Sequence, residues 1–267
     1  MSPGLRRVWG LMYRHLALYR RSWPRLLELA YWPVLQMCIW GFTATFLAKR
    51  MGGSIATTAG AALLGGVLLW EVTLRSQMGM SISFLEEIWS RNLGHIFVSP
   101  LRPRELIAAL IAMSFIRMAA GLLPAILLAW AFYAFNLFAL GPVLVLFFAN
   151  LMIMGWAVAL GVVSLVLRHG AGAEPLAWGV LFGLAPFSAV FYPVSVLPGF
   201  LQPIALALPT AHVFEGMRGI LLDGTVHWHH LAAAFGLNAV WMGGAVLLFM
   251  HQFQQARIRG ALMNIGE

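Results

Sequence analysis

The 267 residues are 61% hydrophobic and 10% charged, with a mean hydropathy of +0.84. A soluble domain carries about a quarter charged residues, so this composition excludes a soluble enzyme and predicts an all-α integral membrane protein. The net charge of +8 does not point to nucleic acid, because the arginines gather at the ends of apolar runs, where they set membrane orientation.

The chain opens on an arginine-rich segment, residues 1–28. At 100° per residue, Leu5, Trp9, Met12, Leu16, Tyr19 and Trp23 fall in one sector, with Arg7, Arg14, Arg21 and Arg25 opposite. That separation predicts an amphipathic helix over residues 5–25, lying in the membrane interface. Trp9 and Trp23 would enter the apolar layer, and Arg7, Arg14 and Arg21 would face the headgroups. The alternative is a charged tail that only orients the first span. The segment is too arginine-rich and interrupted to read as a cleavable signal peptide.

Six transmembrane helices are expected, at about Leu29–Ala48, Thr57–Met80, Leu106–Phe135, Val143–Leu167, Leu176–Ser195 and Leu231–Met250. Each has the length needed to cross a hydrocarbon core of ~30 Å. With the N-terminus inside, residues 1–28, 84–105, 168–175 and the tail 251–267 are cytoplasmic and hold twelve arginines. The outer segments hold Lys49, Arg50 and Arg218 alone, an asymmetry that predicts N-in, C-in topology.

The stretch Phe84–Glu105, FLEEIWSRNLGHIFVSPLRPRE, interrupts the apolar runs with Glu86, Glu87, Arg91, Arg102, Arg104 and Glu105. Phe84, Leu85, Ile88, Trp89 and Leu93 recur at helical spacing, so an amphipathic helix is expected here until Ser99-Pro100 breaks it. It reads either as a handle for a partner outside the bilayer or as a solvated loop.

The segment Phe191–His230 is too apolar for a free loop, yet Pro193, Pro198, Pro203 and Pro209 forbid one continuous span. It divides into pieces near Pro198–Leu208 and Thr210–Leu222, with Thr210 as a candidate cap and Gly224 as a stop. These pieces are either re-entrant helices within 196–230 or helices lying flat on the outer surface. No internal repeat or linker is visible, so 1–267 is expected to form one domain.

Three ionisable residues fall inside spans: Glu71, Arg75 and Arg117. Charge in hydrocarbon is costly, so these should face protein or a water-filled path. Glu71 and Arg75 have the spacing and order of a local pair, and Arg117 could reach Glu71 from a neighbouring helix. A structural ion pair and contact with a substrate are both open readings. The cluster His227-Trp228-His229-His230 lacks a carboxylate at metal spacing and reads as interface, so no metal site is expected. Cys38 is the sole cysteine, which leaves no disulfide within the chain. The only lysine, Lys49, precedes Arg50 rather than a serine or threonine, so no P-loop is present. An enzyme using the histidines with Glu71 or Glu215 is the rival class, though no HExxH or GxSxG supports it.

Taken together, the parts resemble the membrane subunit of the ABC type 2 exporter family, its polysaccharide, nodulation-signal and drug export branch. FLEEIWSRNLGHIFVSPLRPREL resembles that family's glutamate-containing coupling helix, and FYPVSVLPGFLQPIALALPTAHVFEGMRGILLDG its proline-broken region before the last span. The resemblance implies a permease homodimer, or a pair of related permeases, in the bacterial inner membrane, each docked on a separate ATPase that binds ATP and Mg. No cofactor is expected in this chain. By the same resemblance Leu85, Glu86, Glu87, Ile88, Trp89 and Arg91 would dock that ATPase. One departure concerns a glycine that follows the coupling glutamate in many relatives: here Ser90 and Arg91 occupy that area and Gly94 comes later.

Overall fold

A computed structural model describes residues 3–20, 22–51 and 53–258. Arg21 and the expected tail beyond Ile258, residues 259–267, lie outside the described residues. Every regular element described is a helix: α1 Pro3–Arg20, α2 Trp23–Met51, α3 Gly53–Trp89, α4 Leu93–Val98, α5 Pro103–Tyr133, α6 Val143–His169, α7 Leu176–Leu184, α8 Gln202–Leu206, α9 Pro209–Asp223 and α10 Trp228–Ile258. A helix satisfies its own backbone hydrogen bonds, which is what an apolar chain needs in lipid. Three of these, α5, α6 and α10, are long and apolar enough to cross a membrane. The first two expected spans fall within α2 and α3, of 29 and 37 residues.

Helix α6 is the centre of the bundle. Its apolar window is 67% buried, whereas that of α10 is only 22% buried, so α10 is peripheral. Helices α3 and α10 pack on α6, and α5 and α2 pack on α3. At Gly155 of α6 the backbones come close: a Cβ there would lie 2.7 Å from the Thr73 carbonyl of α3. On the other side, Asn238 Nδ2 of α10 donates to the Asn150 side-chain oxygen of α6 at 2.8 Å. In lipid, where apolar surface gains nothing by association, small residues and such polar contacts do the joining.

Four expectations about the helices are corrected. The N-terminal helix does not run to Arg25; it ends at Arg20, and Trp23 opens α2. Pro24 lacks an amide proton, which costs a helix least in its first turn, and Pro24 is the second residue of α2. The fifth span, Leu176–Ser195, is not one helix. Helix α7 continues only through a 3-10 turn, Ala185–Phe187, giving about 18 Å of rise where a span needs about 30 Å. It lies beside α3 in the opposite sense, with Gln77 Nε2 donating to the Ala177 carbonyl at 3.0 Å and the Val190 carbonyl against Gly66. The piece expected at Pro198–Leu208 shrinks to the five residues of α8. Thr210 does not cap α9: Leu208 holds that position, and the Thr210 hydroxyl donates to Ser188 Oγ at 3.0 Å. Gly224 does end α9, with φ of +68° that glycine adopts without strain.

The arginine asymmetry gives the fold a direct test. A reporter fused after Glu267 or within 168–175 is expected to read cytoplasmic, and one at Gly224 external. A cytoplasmic signal at Gly224 would overturn the proposed orientation of α9 and α10.

Candidate functional site

The candidate site lies where α3 ends, at the opposite end of the bundle from α9. No separate helix begins at Phe84, as the sequence suggested; Phe84–Trp89 are the last turns of α3. The chain turns at Ser90–Asn92, with Asn92 N donating to the Glu87 carbonyl at 2.9 Å. Arg91 adopts φ of +52°, a left-handed conformation that costs a non-glycine residue about 1–2 kcal/mol. It falls in the area where many relatives of the resembled family carry glycine. Helix α4 follows, and Ser99-Pro100 then leads into α5. Pro103 opens α5, and the Glu105 carboxylate accepts from the Arg102 amide at 2.9 Å, a capping interaction.

This elbow stands on a buried charge cluster. Glu87 is 1% exposed. Its carboxylate accepts from Asn92 Nδ2 at 2.7 Å and from Arg14 Nη1, and lies 3.3 Å from His15 Nε2. Glu86 accepts from Arg117 Nη2 at 2.8 Å and lies 3.2 Å from His15 Nδ1. The Arg117 guanidinium also sits over the Tyr19 ring, 4.8 Å from its centroid, a cation–π contact. Burial pushes the Glu86 carboxyl up, but the hydrogen bond to His15 and the Arg117 charge outweigh it, leaving Glu86 below the usual carboxylate range. Helices α1, α3 and α5 are therefore joined by groups that cannot be removed singly without stranding a charge.

Helix α1 also pairs with α5 near its start, ahead of the apolar run that opens at Leu106. Arg7 Nη2 donates to Glu105 at 2.7 Å. The hydrogen bonds from Arg7 and from the Arg102 backbone hold the Glu105 carboxyl down to about 2. With Arg7 at the start of α5 and Tyr19 at Arg117 further along, α1 runs beside α5 in the same sense.

The expected site residues thus divide. Of the expected docking residues, Leu85, Glu87 and Ile88 are buried in the chain itself, and Glu86 and Glu87 are neutralised there. Trp89, 51% exposed, and Arg91 face outward. The Trp89 indole donates to Glu174 in the α6–α7 connection at 3.2 Å. Trp9 on α1 and Trp23 on α2 are exposed. Arg7 and Arg14 are turned to Glu105 and Glu87 rather than left to headgroups.

Arg75 Nε donates to Glu71 at 3.1 Å, the pair that their spacing predicts. The link from Arg117 to Glu71 is not formed. Side chains on a helix tilt toward its N-terminus, and α3 and α5 are antiparallel, so Arg117 and Glu86 lean toward each other while Glu71 leans away. Sequence reasoning misses His15 and Asn92, and places Tyr19 on the apolar face of the first helix without its contact to Arg117. Nothing in their local pattern marks them, since their partners come from other helices or across the Arg91 turn.

The cluster holds charge in place and ties the base of the elbow to α1 and α5. Among the described residues, no group of three or more histidine, cysteine or acidic side chains is arranged to hold a metal. No curated protein matches the chain. The family model of ABC-2 type transporters matches residues 6–222, from α1 to the last turn of α9. The elbow and its charged base therefore belong to the membrane-embedded permease subunit of an ATP-binding-cassette transporter, and the chain is a member of the ABC-2 type transporter family.

Proposed function

We propose that this permease moves its substrate outward across a bacterial inner membrane as a homodimer, with both termini cytoplasmic and six membrane-crossing segments per chain, the fifth made of α7 and the non-helical stretch that follows Phe187. ATP and Mg bind a separate ATPase chain, and the exposed elbow from Trp89 to Ser99 is the surface that ATPase engages. The observation that supports this is the elbow's construction. An exposed tryptophan and arginine project from a base locked by Glu86, Glu87, Arg14, His15 and Arg117, so force applied at the elbow is not lost in a flexible loop. The resemblance of the chain to the polysaccharide and nodulation-signal branch supports a glycan or glycolipid cargo ahead of a hydrophobic drug.

The test is recovery of the ATPase with tagged permease, together with transport. Buried tryptophans often carry a large share of interface energy. Trp89→Ala is therefore expected to weaken association by ~30-fold, the equivalent of about 2 kcal/mol. Arg91→Glu is expected to weaken it by a smaller factor, by reversing an interfacial charge. Both should leave permease abundance unchanged, and Glu174→Gln controls for the lost indole contact. Full ATPase recovery and transport in both variants would rule out the elbow as the docking surface.

A further inference from the structure

We propose that a cavity at the α9 end of the bundle, on the face the export reading places outside, binds a neutral polyhydroxylated group, a saccharide. The proposal deepens that reading and rests on it only for the source of the ligand.

The cavity arises from how the Val190–Pro193 segment is held. Ala189 takes φ of +55° and turns the chain onto α3. There the Val190 carbonyl sits where a Cβ on Gly66 would be 2.6 Å away. Helix α9 grips the segment from the other side. Arg218 Nη1 donates to the Ala189 carbonyl at 2.8 Å, and Glu215 Oε1 accepts from the Val194 amide at 2.7 Å. Between these contacts lies a cavity of roughly 390 Å³, lined by Tyr192, Glu215, Arg218, Asp223, His227 and His230 among others. That volume is at the small end of ligand pockets.

The wall selects the chemistry. Arg218 is only 8% exposed, and its Nε has no hydrogen-bond partner among the described residues. Its Nη2 lies 3.1 Å from Glu215 Oε1 without hydrogen-bond alignment. A buried N–H left unpaired is costly, so this guanidinium lacks an acceptor. His212 Nε2 donates to the Leu206 carbonyl at 3.0 Å, which leaves its Nδ1 to accept from His230 Nδ1 at 3.1 Å. His230 Nε2 then carries a lone pair.

An anion would meet Glu215 and Asp223. A cation would find Glu215 already opposite Arg218 and the exposed Asp223 alone left to meet it. An apolar ligand would strip water from charged groups and return no hydrogen bonds. Hydroxyl groups donate and accept at once, so a saccharide can serve the exposed Asp223 carboxylate and the His230 imidazole together, with Arg218 holding Glu215 and the Ala189 carbonyl in the wall and the Tyr192 ring beside them.

The test uses the purified chain alone, in phosphatidylcholine nanodiscs, because alkyl maltoside detergents carry the probe's own headgroup. Maltose, glucuronate and tetramethylammonium are compared by saturation-transfer NMR. Maltose is expected to bind, with affinity about tenfold weaker in Asp223→Ala, the loss of a charge-assisted hydrogen bond. Ala62→Phe, which fills the cavity, is expected to abolish the signal; Asp223 is exposed, so its variant does not depend on core packing. Absence of maltose binding overturns the proposal, as does binding unchanged in both variants. Tetramethylammonium binding as tightly as maltose overturns the saccharide assignment, and glucuronate binding as tightly overturns the neutrality of the ligand. No ATPase is present, so failure of ATPase docking or transport counts against the export reading and leaves this outcome untouched.

Discussion

Glu87→Ala is expected to deplete folded protein from the membrane, not merely to weaken a docking surface. The carboxylate is buried and engaged by Arg14, Asn92 and, across 3.3 Å, His15. Removing one member of a buried charged set costs about 3–5 kcal/mol, because its partners stay desolvated without compensation. That is a large part of a typical stability of ~5–15 kcal/mol. Glu87→Arg should be worse, since it places a third cation beside Arg14 and Arg117. The double variant Arg14→Glu/Glu87→Arg should recover part of the loss by restoring opposite signs. Glu105→Ala is the contrast, because its partner Arg7 is partly exposed and such pairs contribute at most about 1 kcal/mol. Fluorescence-detected size exclusion of tagged variants reads all four. Wild-type abundance of Glu87→Ala would show that the cluster is not structural.

Much of this architecture was legible in the sequence, and the illegible parts share a cause. The apolar runs that became α5, α6 and α10 were readable because lipid admits few alternatives to helix. The Glu71–Arg75 pair and the stop at Gly224 were readable because both are local, one set by helical spacing and the other by glycine's conformational freedom. Helix α7 was overestimated because Leu176–Ser195 is uniformly apolar, and apolarity does not say where a chain leaves its helical path. Pro186 and Pro193 lie within that run, and they are the signal that could have shortened it.

The candidate site was harder for a different reason. Counting charges located the 84–105 stretch but not which way its glutamates point. Their direction depends on α1, which arrives from 71 to 73 residues away in sequence. The turn at Arg91 had no local signature except its place in the area where many relatives of the resembled family carry a glycine. Ser99-Pro100, the visible breaker, marks the second bend rather than the first. An exposed Trp89 beside a buried Ile88 and Glu87 therefore divides the expected docking residues into a fixed base and a contact surface.

Gly155→Val is expected to disrupt the bundle at its centre. A Cβ on Gly155 would stand 2.7 Å from the Thr73 carbonyl, 2.9 Å from Ser76 Cβ and 3.1 Å from the Gln77 amide of α3. The first and last of these are backbone atoms, which cannot swing aside as a side-chain tip can. The neighbouring Trp156 donates to Ser114 Oγ of α5 at 3.1 Å, and that hydroxyl donates to the Ser76 carbonyl at 2.6 Å. A shift of α6 away from α3 would thus strain the link to α5 as well. Overpacking usually costs about 1–3 kcal/mol, and the upper end is expected here because three helices meet. Gly155→Ala should show a smaller loss of the same kind. On the same helix, Gly161 has no atom within 4 Å of its Cβ position, so Gly161→Val should leave abundance and melting temperature near wild type. The two valine variants carry the same change in helix propensity, so the difference between them isolates the packing contact. Equal stability of Gly155→Val and Gly161→Val would mean that α3 and α6 are not in backbone contact at this level.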